Sequence, residues 1–130
     1  MRYLLDTNII SEPLKRKPSP SVLRRLTEQG HLCVLCAPVW QELAYGVAKQ
    51  PHPERSRYLE GLRATARVLP YDQRAADWHA EERARLKRAG KRPSFVDGMI
   101  AAIAVSNGLV LVTRNIKHFR GIRGLDLERW

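Results

Sequence analysis

The sequence predicts an α/β fold in which a parallel sheet of four or five strands is sandwiched by helices. Short apolar runs alternate along the chain with segments of helical periodicity, and no two runs are joined by a tight hairpin turn. Parallel pairing follows, because parallel strands need crossover connections, which are usually helical. The length of 130 residues fits one domain, which we place at 1–130.

The individual elements are predicted from the spacing of apolar residues and from the residues that begin or end a helix. The first apolar run ends at Asp6, and the polar residues after it favour a loop and a short helix. Gly30, Gly90 and Gly108 each follow a segment of helical spacing, at a place where glycine commonly ends a helix. The predicted strands are 2–5, 32–36, 68–69, 109–113 and an edge strand at 125–127. The predicted longer helices are 21–29, a helix that begins near Pro38, 54–67, 72–89 and 94–107.

Composition excludes some classes of protein and favours others. Hydrophobic residues make up 44% of the chain and charged residues 28%, which is too apolar for a disordered protein. The formal net charge of +10 favours a polyanionic partner, either nucleic acid or an anionic membrane surface. No apolar run approaches the roughly 20 residues that cross a bilayer. The N-terminus also lacks the apolar core of a signal peptide, so we expect a cytoplasmic protein with no membrane span.

The two cysteines, Cys33 and Cys36, form a C-x-x-C pair. Such a pair occurs in redox sites and in halves of zinc sites. Here no second pair or nearby pair of histidines completes a zinc site, and the segment 31–37 has the character of a buried strand. We therefore predict two core cysteines, with redox or metal chemistry as the alternative.

Four polar residues are predicted to meet at the carboxyl edge of the sheet. Asp6 follows the first strand, and Glu42 lies in the second turn of the helix after the second strand. Asp97 lies in the first turn of the helix before the fourth strand, and Asn115 follows that strand. A right-handed crossover brings the start of the Asp97 helix to the same edge, where side chains that do chemistry collect in such sheets. We expect these four residues to form the catalytic site.

Each of these residues also has a purely structural interpretation. Asp6 could organise a turn, Glu42 could be an ordinary exposed residue and Asn115 could shape a loop, while Ser94 and Asp97 resemble a helix-capping box. Three acids in one cleft of a protein with a net charge of +10 favour the functional interpretation, because unpaired carboxylates that close repel one another. With no histidine or thiolate cluster, oxygen ligands suit Mg²⁺ or Mn²⁺. Such an ion activates water for phosphodiester hydrolysis.

Two basic clusters flank the predicted site. One covers the end of a helix and the loop before Asp97, and the other follows the fourth strand. The members that we expect to contact a nucleic acid are Arg88, Lys91, Arg92, Arg114 and Lys117. The alternative is that these charges only keep the surface soluble.

Glu82 is an unusual acid, because it lies four residues from both Trp78 and Leu86 and therefore on an apolar helix stripe. We expect it at the surface or at an interface. A further carboxylate of the site is the alternative.

Four segments, in order along the chain, resemble motifs of the PIN-domain nucleases, specifically the VapC-type and FitB-type toxins of bacterial toxin–antitoxin pairs. The segments are 4–11 (LLDTNIIS), 39–46 (VWQELAYG), 95–102 (FVDGMIAA) and 111–115 (LVTRN), the last followed by His118 and Phe119. The resemblance covers essentially the whole chain. It implies a PIN-like domain, endoribonuclease activity that depends on Mg²⁺ or Mn²⁺, frequent homodimers and neutralisation by a small VapB-like antitoxin.

The resemblance also implies roles for individual residues. The implied metal ligands are Asp6, Glu42 and Asp97, and the implied supporting residues are Thr7, Asn8 and Thr113. Two positions depart from the family pattern. Asn115 stands where many PIN domains have an aspartate, and its neutral amide is a poorer ligand for a second ion. Gly98 replaces a frequent alanine, and we expect only a local weakening of the helix from it.

The favoured function is a metal-dependent endoribonuclease that acts as the toxin of a type II toxin–antitoxin system. One alternative is a PIN-type RNA-processing nuclease without an antitoxin. A catalytically silent nucleic-acid-binding module is a second alternative, disfavoured because all three acids are present. A receiver-like phosphoryl acceptor is a third, disfavoured because no acidic pair immediately follows the first strand and there is no obvious counterpart of the lysine that follows the last core strand of a receiver.

Overall fold

A computed structural model describes the whole chain from Met1 to Trp130. Five strands form one parallel sheet in the order β3-β2-β1-β4-β5. The strands are β1 (Tyr3–Leu5), β2 (Cys33–Cys36), β3 (Val68–Leu69), β4 (Val110–Val112) and β5 (Asp126–Glu128). The helices are α1 (Thr7–Ile10), α2 (Pro20–Gln29), α3 (Ala37–Lys49), α4 (Pro53–Thr65), α5 (Gln73–Arg88), α6 (Phe95–Ser106) and α7 (Ile116–Phe119). Two 3₁₀ turns cover Glu12–Leu14 and Gly30–Leu32.

The strand order creates a crevice at one edge of the sheet. From β1 the chain first adds β2 and β3 on one side and then crosses over to add β4 and β5 on the other. A parallel sheet opens a crevice at the carboxyl ends of its strands where the order reverses in this way, which here lies between β1 and β4. Leu5 pairs with Val112, so the residues that follow them, Asp6 and Thr113, lie side by side at the crevice.

Helix α6 is the helix with the most buried residues. Its residues 100–104 are all buried, and the helix packs against α5, α3 and β4. The Ser94 hydroxyl accepts a hydrogen bond from the backbone N–H of Asp97 (3.4 Å), which satisfies a free donor at the start of the helix. Asp97 is thereby fixed in the first turn of a core helix.

The predicted fold class is confirmed, and the predicted edge strand is β5, in which Leu127 pairs with Leu111. The bounds of the longer helices and of the strands differ from the predicted ones by no more than two residues at either end. Helix α7 and the two 3₁₀ turns were not predicted, because elements of three or four residues are too short to show periodicity. None of the helices combines the length and the apolar character that a membrane span needs.

The two cysteines are free thiols of the core region. Cys36 is buried, and Cys33 is half-buried with its thiol donating to the carbonyl of Gln29 (3.2 Å). Burial raises the pKa of Cys33 to about 11 and that of Cys36 to about 12. Because the thiolate is the reactive form, these values agree with the predicted core role rather than with redox chemistry.

Candidate active site

Asp6 lies at the centre of the crevice as the residue that caps α1. It is buried, and its carboxylate accepts three hydrogen bonds. One oxygen accepts from the backbone N–H of Thr7 (2.8 Å), and the other accepts from the Thr113 hydroxyl (2.7 Å) and the Asn8 amide (3.2 Å). With both oxygens engaged, the side chain is held in one orientation.

Thr113 and Asn8 form a fixed frame behind this carboxylate. The Thr113 side chain is fully buried, and its hydroxyl donates to Asp6 while accepting from the Asn115 backbone N–H (3.0 Å) and the Asn8 amide (3.4 Å). The side-chain oxygen Oδ1 of Asn8 accepts a hydrogen bond from the backbone N–H of Arg114 (3.0 Å). The loop after β4 is therefore tied to the first turn after β1. The predicted supporting residues meet around Asp6.

Glu42 reaches the same place from the second turn of α3. Its carboxylate accepts a hydrogen bond from the Thr7 hydroxyl (2.8 Å). Thr7 also donates its backbone N–H to Asp6, so one residue connects the two acids. Glu42 itself is half-buried, and its second oxygen is free to bind another group.

Asp97 faces the crevice from the start of α6, with a side-chain exposure of 22%. Burial raises the pKa of its carboxyl, the negative charges of Asp6 and Glu42 raise it further, and His118 opposes them. The His118 ring nitrogen Nδ1 lies 3.6 Å from the Asp97 carboxylate. The predicted three acids are thus close enough to act on one another electrostatically.

The chemistry of these donors fits a hard divalent cation. All three offer carboxylate oxygens, which Mg²⁺ and Mn²⁺ prefer, and a cation among them would relieve the repulsion that raises the pKa of Asp97. In this arrangement no three His, Cys, Asp or Glu side chains are close enough to form a ligand cluster by themselves. The chemistry of the donors, rather than a preformed ligand cluster, is therefore what indicates a cation here.

Asn115 contributes to this network only through its backbone. Its N–H donates to Thr113 (3.0 Å) and its carbonyl accepts from the backbone N–H of His118 (3.0 Å). The side chain is exposed and makes no capping hydrogen bond at the start of α7. The predicted catalytic amide is thus next to the site but is not held in it.

A cleft of about 470 Å³, here called the Asp97 cleft, opens beside the acids. Its polar lining residues are Lys91, Arg92, Ser94, Asp97, Lys117, His118 and Arg120. Three of the five basic residues predicted to contact nucleic acid are among them. Arg88 lines a different surface beside Glu82, and Arg114 pairs with Glu12 (3.7 Å). Lys91, Arg92 and Lys117 therefore share a cleft with Asp97, whereas Arg88 lies elsewhere and the Arg114 guanidinium pairs with Glu12.

A family model matches nearly the whole chain that builds this fold and site. The model of the PIN domain matches residues 3–125. The chain belongs to the PIN-domain family. It is 37% identical to the tRNA(fMet)-specific endonuclease VapC of Shigella flexneri, over 100% of this chain and 98% of that protein. It is 34% identical to toxin FitB of Neisseria gonorrhoeae, over 89% of each chain.

A solved structure gives the same result for the fold of this PIN domain. The DNA-bound VapBC of Salmonella typhimurium matches with a TM-score of 0.88 and 32% identity, over 100% of this chain and 98% of that chain. The family expected from the sequence motifs is confirmed.

Glu82 of this PIN domain is buried, so the expectation of a surface position was wrong. Its carboxylate accepts two hydrogen bonds from the Arg85 guanidinium (2.6 and 2.7 Å) and one from the backbone N–H of Arg123 (2.7 Å). The hydrogen bonds from Arg85 lower the pKa of Glu82. Glu82 thus fastens the loop after α7 to α5, which explains an acid on an apolar stripe without a role in catalysis.

Glu12 is a second buried carboxylate, and sequence reasoning did not identify it. It lies 2.8 Å from the Lys15 ammonium and 3.7 Å from the Arg114 guanidinium, and it accepts from the Ser19 backbone N–H (2.8 Å). The hydrogen bond from Lys15 is the main cause of its lowered pKa. Lys15 lies only three residues further along the chain, but Ser19 and Arg114 come from other segments, and the three-residue turn around Glu12 is too short to show periodicity.

His79 of α5 is a second residue that sequence reasoning did not identify, and it lies beside Gly98. It is buried, its Nδ1 is hydrogen-bonded to the Tyr71 hydroxyl (2.8 Å), and its ring packs against Phe95 (4.9 Å between centroids). Burial lowers its pKa, which favours the neutral ring. A Cβ placed on Gly98 would lie 2.2 Å from His79 Nε2. The lack of a side chain at Gly98, beside Asp97, therefore leaves room for the His79 ring. The sequence could not reveal this contact.

Thr113→Val is expected to lower the free energy of unfolding by about 1–3 kcal/mol, the cost of leaving buried polar groups unpaired. Valine keeps the shape of the side chain but removes the donor to Asp6 and the acceptor for Asn8 and Asn115. Thr113→Ser keeps the hydroxyl and is the matched control. Urea denaturation checks both variants, and equal losses would contradict the importance of the hydroxyl.

Proposed function

We propose that this PIN domain is an endoribonuclease of the VapC type and the toxin of a type II toxin–antitoxin pair. The observation that carries the proposal is the position of Asp6, Glu42 and Asp97 at the crevice of the sheet, beside a cleft lined by Lys91, Arg92, Lys117 and Arg120. Carboxylates there provide a place for a cation, and the basic residues bind a polyanion. The Shigella relative is named as a tRNA endonuclease, which supports RNA as the substrate.

The reaction depends on Mg²⁺ or Mn²⁺ in this proposal, and Asp6, Glu42 and Asp97 would hold the ion. When bound, the cation supplies positive charge that stabilises the charge developing on the phosphate in hydrolysis. Thr113 and Asn8 hold the Asp6 carboxylate in place, and Thr7 orients Glu42. Lys91, Arg92 and Lys117 bind the phosphates that flank the scissile one.

The partner is a small VapB-like antitoxin, and both act in the cytoplasm, where the RNA is. The Salmonella structure is a VapBC assembly. An apolar cleft of about 590 Å³ lies between α2 and α4, and its lining includes Ile10, Leu23, Leu26, Tyr58 and Leu62. This apolar cleft suits an apolar antitoxin segment. An antitoxin arginine would satisfy the carboxylates of the site and exclude the cation.

Metal removal tests the proposal. The purified chain should cleave a labelled transfer RNA into discrete fragments, EDTA should stop the cleavage, and added Mg²⁺ or Mn²⁺ should restore it. Circular dichroism in EDTA controls for unfolding. Cleavage that continues in EDTA, or that only Zn²⁺ restores, would contradict the assignment of a hard cation to this site.

A further inference from the structure

A second basic cleft, of about 420 Å³, lies at Glu42. It is called here the Glu42 cleft, and its lining is Thr7, Ser11, Leu14, Lys15, Arg16, Glu42, Leu43, Gly46, Val47 and Arg55. It shares no lining residue with the Asp97 cleft. The acids divide between the two, because Asp97 lines one and Glu42 lines the other. The site therefore adjoins two separate cationic clefts, one at Asp97 and one at Glu42.

The cations of the Glu42 cleft are available to a ligand. Arg16 is exposed and makes no ion pair or hydrogen bond, and Arg55 contacts only the neutral amide of Gln50 (3.4 Å). Lys15 shares its charge with Glu12 (2.8 Å). Glu42 is the only acid in the lining, so the cleft as a whole attracts an anion.

The lining also indicates which part of a nucleic acid would bind. The Glu42 cleft has no aromatic side chain, and proteins that hold single-stranded bases do so largely by stacking them on aromatic rings. Lysine and arginine without such rings bind phosphates and do not distinguish sequence. The ligand chemistry is therefore the backbone of a polynucleotide rather than its bases.

An endonuclease cuts within a chain, so nucleotides continue on both sides of the scissile phosphate. We propose that single-stranded RNA crosses the site from the Asp97 cleft to the Glu42 cleft, and that Arg16 and Arg55 bind its backbone on the side of the cut opposite to Lys91 and Arg92. This inference rests on the function proposed above. It assigns a binding role to residues outside all four PIN motifs.

The test compares Arg16→Ala/Arg55→Ala with Arg24→Ala/Arg57→Ala, which removes the same charge from exposed arginines that line neither cleft. Binding of a fluorescent single-stranded RNA of about 12 nucleotides, with a mapped cut near its middle, is measured by anisotropy in EDTA over a range of salt. The first variant should bind roughly tenfold more weakly, and its logarithmic salt slope should fall by about 1.4, the value for two phosphate contacts to a single strand. The control should keep the wild-type slope.

Shortened RNAs locate the contacts. An RNA that ends at the cut, and so lacks the nucleotides that would occupy the Glu42 cleft, should bind the Arg16→Ala/Arg55→Ala variant and the wild type equally. Lys91→Ala/Arg92→Ala should still weaken its binding. An RNA that lacks the nucleotides on the other side of the cut should be sensitive to Arg16→Ala/Arg55→Ala and insensitive to Lys91→Ala/Arg92→Ala. Equal salt slopes for the Arg16→Ala/Arg55→Ala and control variants would overturn the inference. It would also be overturned if the Arg16→Ala/Arg55→Ala variant bound the antitoxin more weakly but bound RNA as the wild type does. In either case, RNA cleavage by the wild type would leave the proposed function standing.

Discussion

Asp97→Asn should fold like the wild type and cleave RNA at least about 100-fold more slowly, the scale of losing a charge that stabilises the transition state. The side chain of Asp97 is not part of the hydrogen-bond network around Asp6, and its one ion pair is with His118 (3.6 Å). An amide there removes the charge without leaving a buried partner unpaired. Asp6 is a less informative position, because an amide there would face three hydrogen-bond donors.

The same substitution should leave stability unchanged or increase it. Burial and the neighbouring acids raise the pKa of Asp97 in the folded protein, so the ionised form costs stability at pH values above that pKa. Removing the charge removes the cost at pH 7 in the absence of metal. Calorimetry and gel-based cleavage assays measure the two effects, and Asp77→Asn, at an exposed position of α5, is the matched control. A variant that cleaves at the wild-type rate would exclude Asp97 from the site.

In cells the substitution separates toxicity from complex formation. Expression of the wild-type chain alone should arrest growth, whereas the Asp97→Asn variant should not. The antitoxin should still co-purify with the variant, because the apolar cleft between α2 and α4 does not include Asp97. If the wild-type chain were harmless in its own host without the antitoxin, the RNA-processing nuclease would become the better account.

Gly98→Ala should destabilise the protein by about 1–3 kcal/mol, the usual cost of overpacking a core, although alanine is the better helix former. The added Cβ would lie 2.2 Å from His79 Nε2. His79 is hydrogen-bonded to Tyr71 and packed against Phe95, so its ring cannot move away without losing these contacts. The sequence predicts only a local weakening of the helix by Gly98, whereas the structure shows that this glycine avoids a clash with His79.

A double-mutant cycle isolates this contact. His79→Ala/Gly98→Ala should be less destabilised than the sum of its single variants, because the first substitution makes room for the second. Gly61→Ala is the control, since a Cβ at this α4 position meets nothing within 4 Å and should increase stability by about 0.5–1 kcal/mol. Urea denaturation measures the wild type, the two single variants, the double variant and the control. Gly98→Ala as stable as the wild type would contradict the steric account.

Much of the fold was predictable because its signals are local. Apolar spacing, Ser94 as a cap and glycines at helix ends set the helix bounds, and the parallel arrangement then brings Asp6 and Asp97 to one edge. The burial of Glu12 and Glu82 was not predictable. Each has a cation three residues further along the chain, as exposed acids also often have, but the Arg114 side chain and the Arg123 backbone N–H that complete their surroundings come from distant segments. Asn115 has the right position in sequence, but only its backbone joins the network.

The burial of α6 determines how the active site is lost when the protein is denatured. Asp97 is carried by the helix with the most buried residues, while Asp6 and Thr113 follow the central strand β1 and its neighbour β4. Elements of this kind open only in the global transition, not by local fraying. The acids and the hydrophobic core therefore form one cooperative unit, so partial denaturation should leave a mixture of fully active and fully unfolded molecules rather than a population of impaired enzymes.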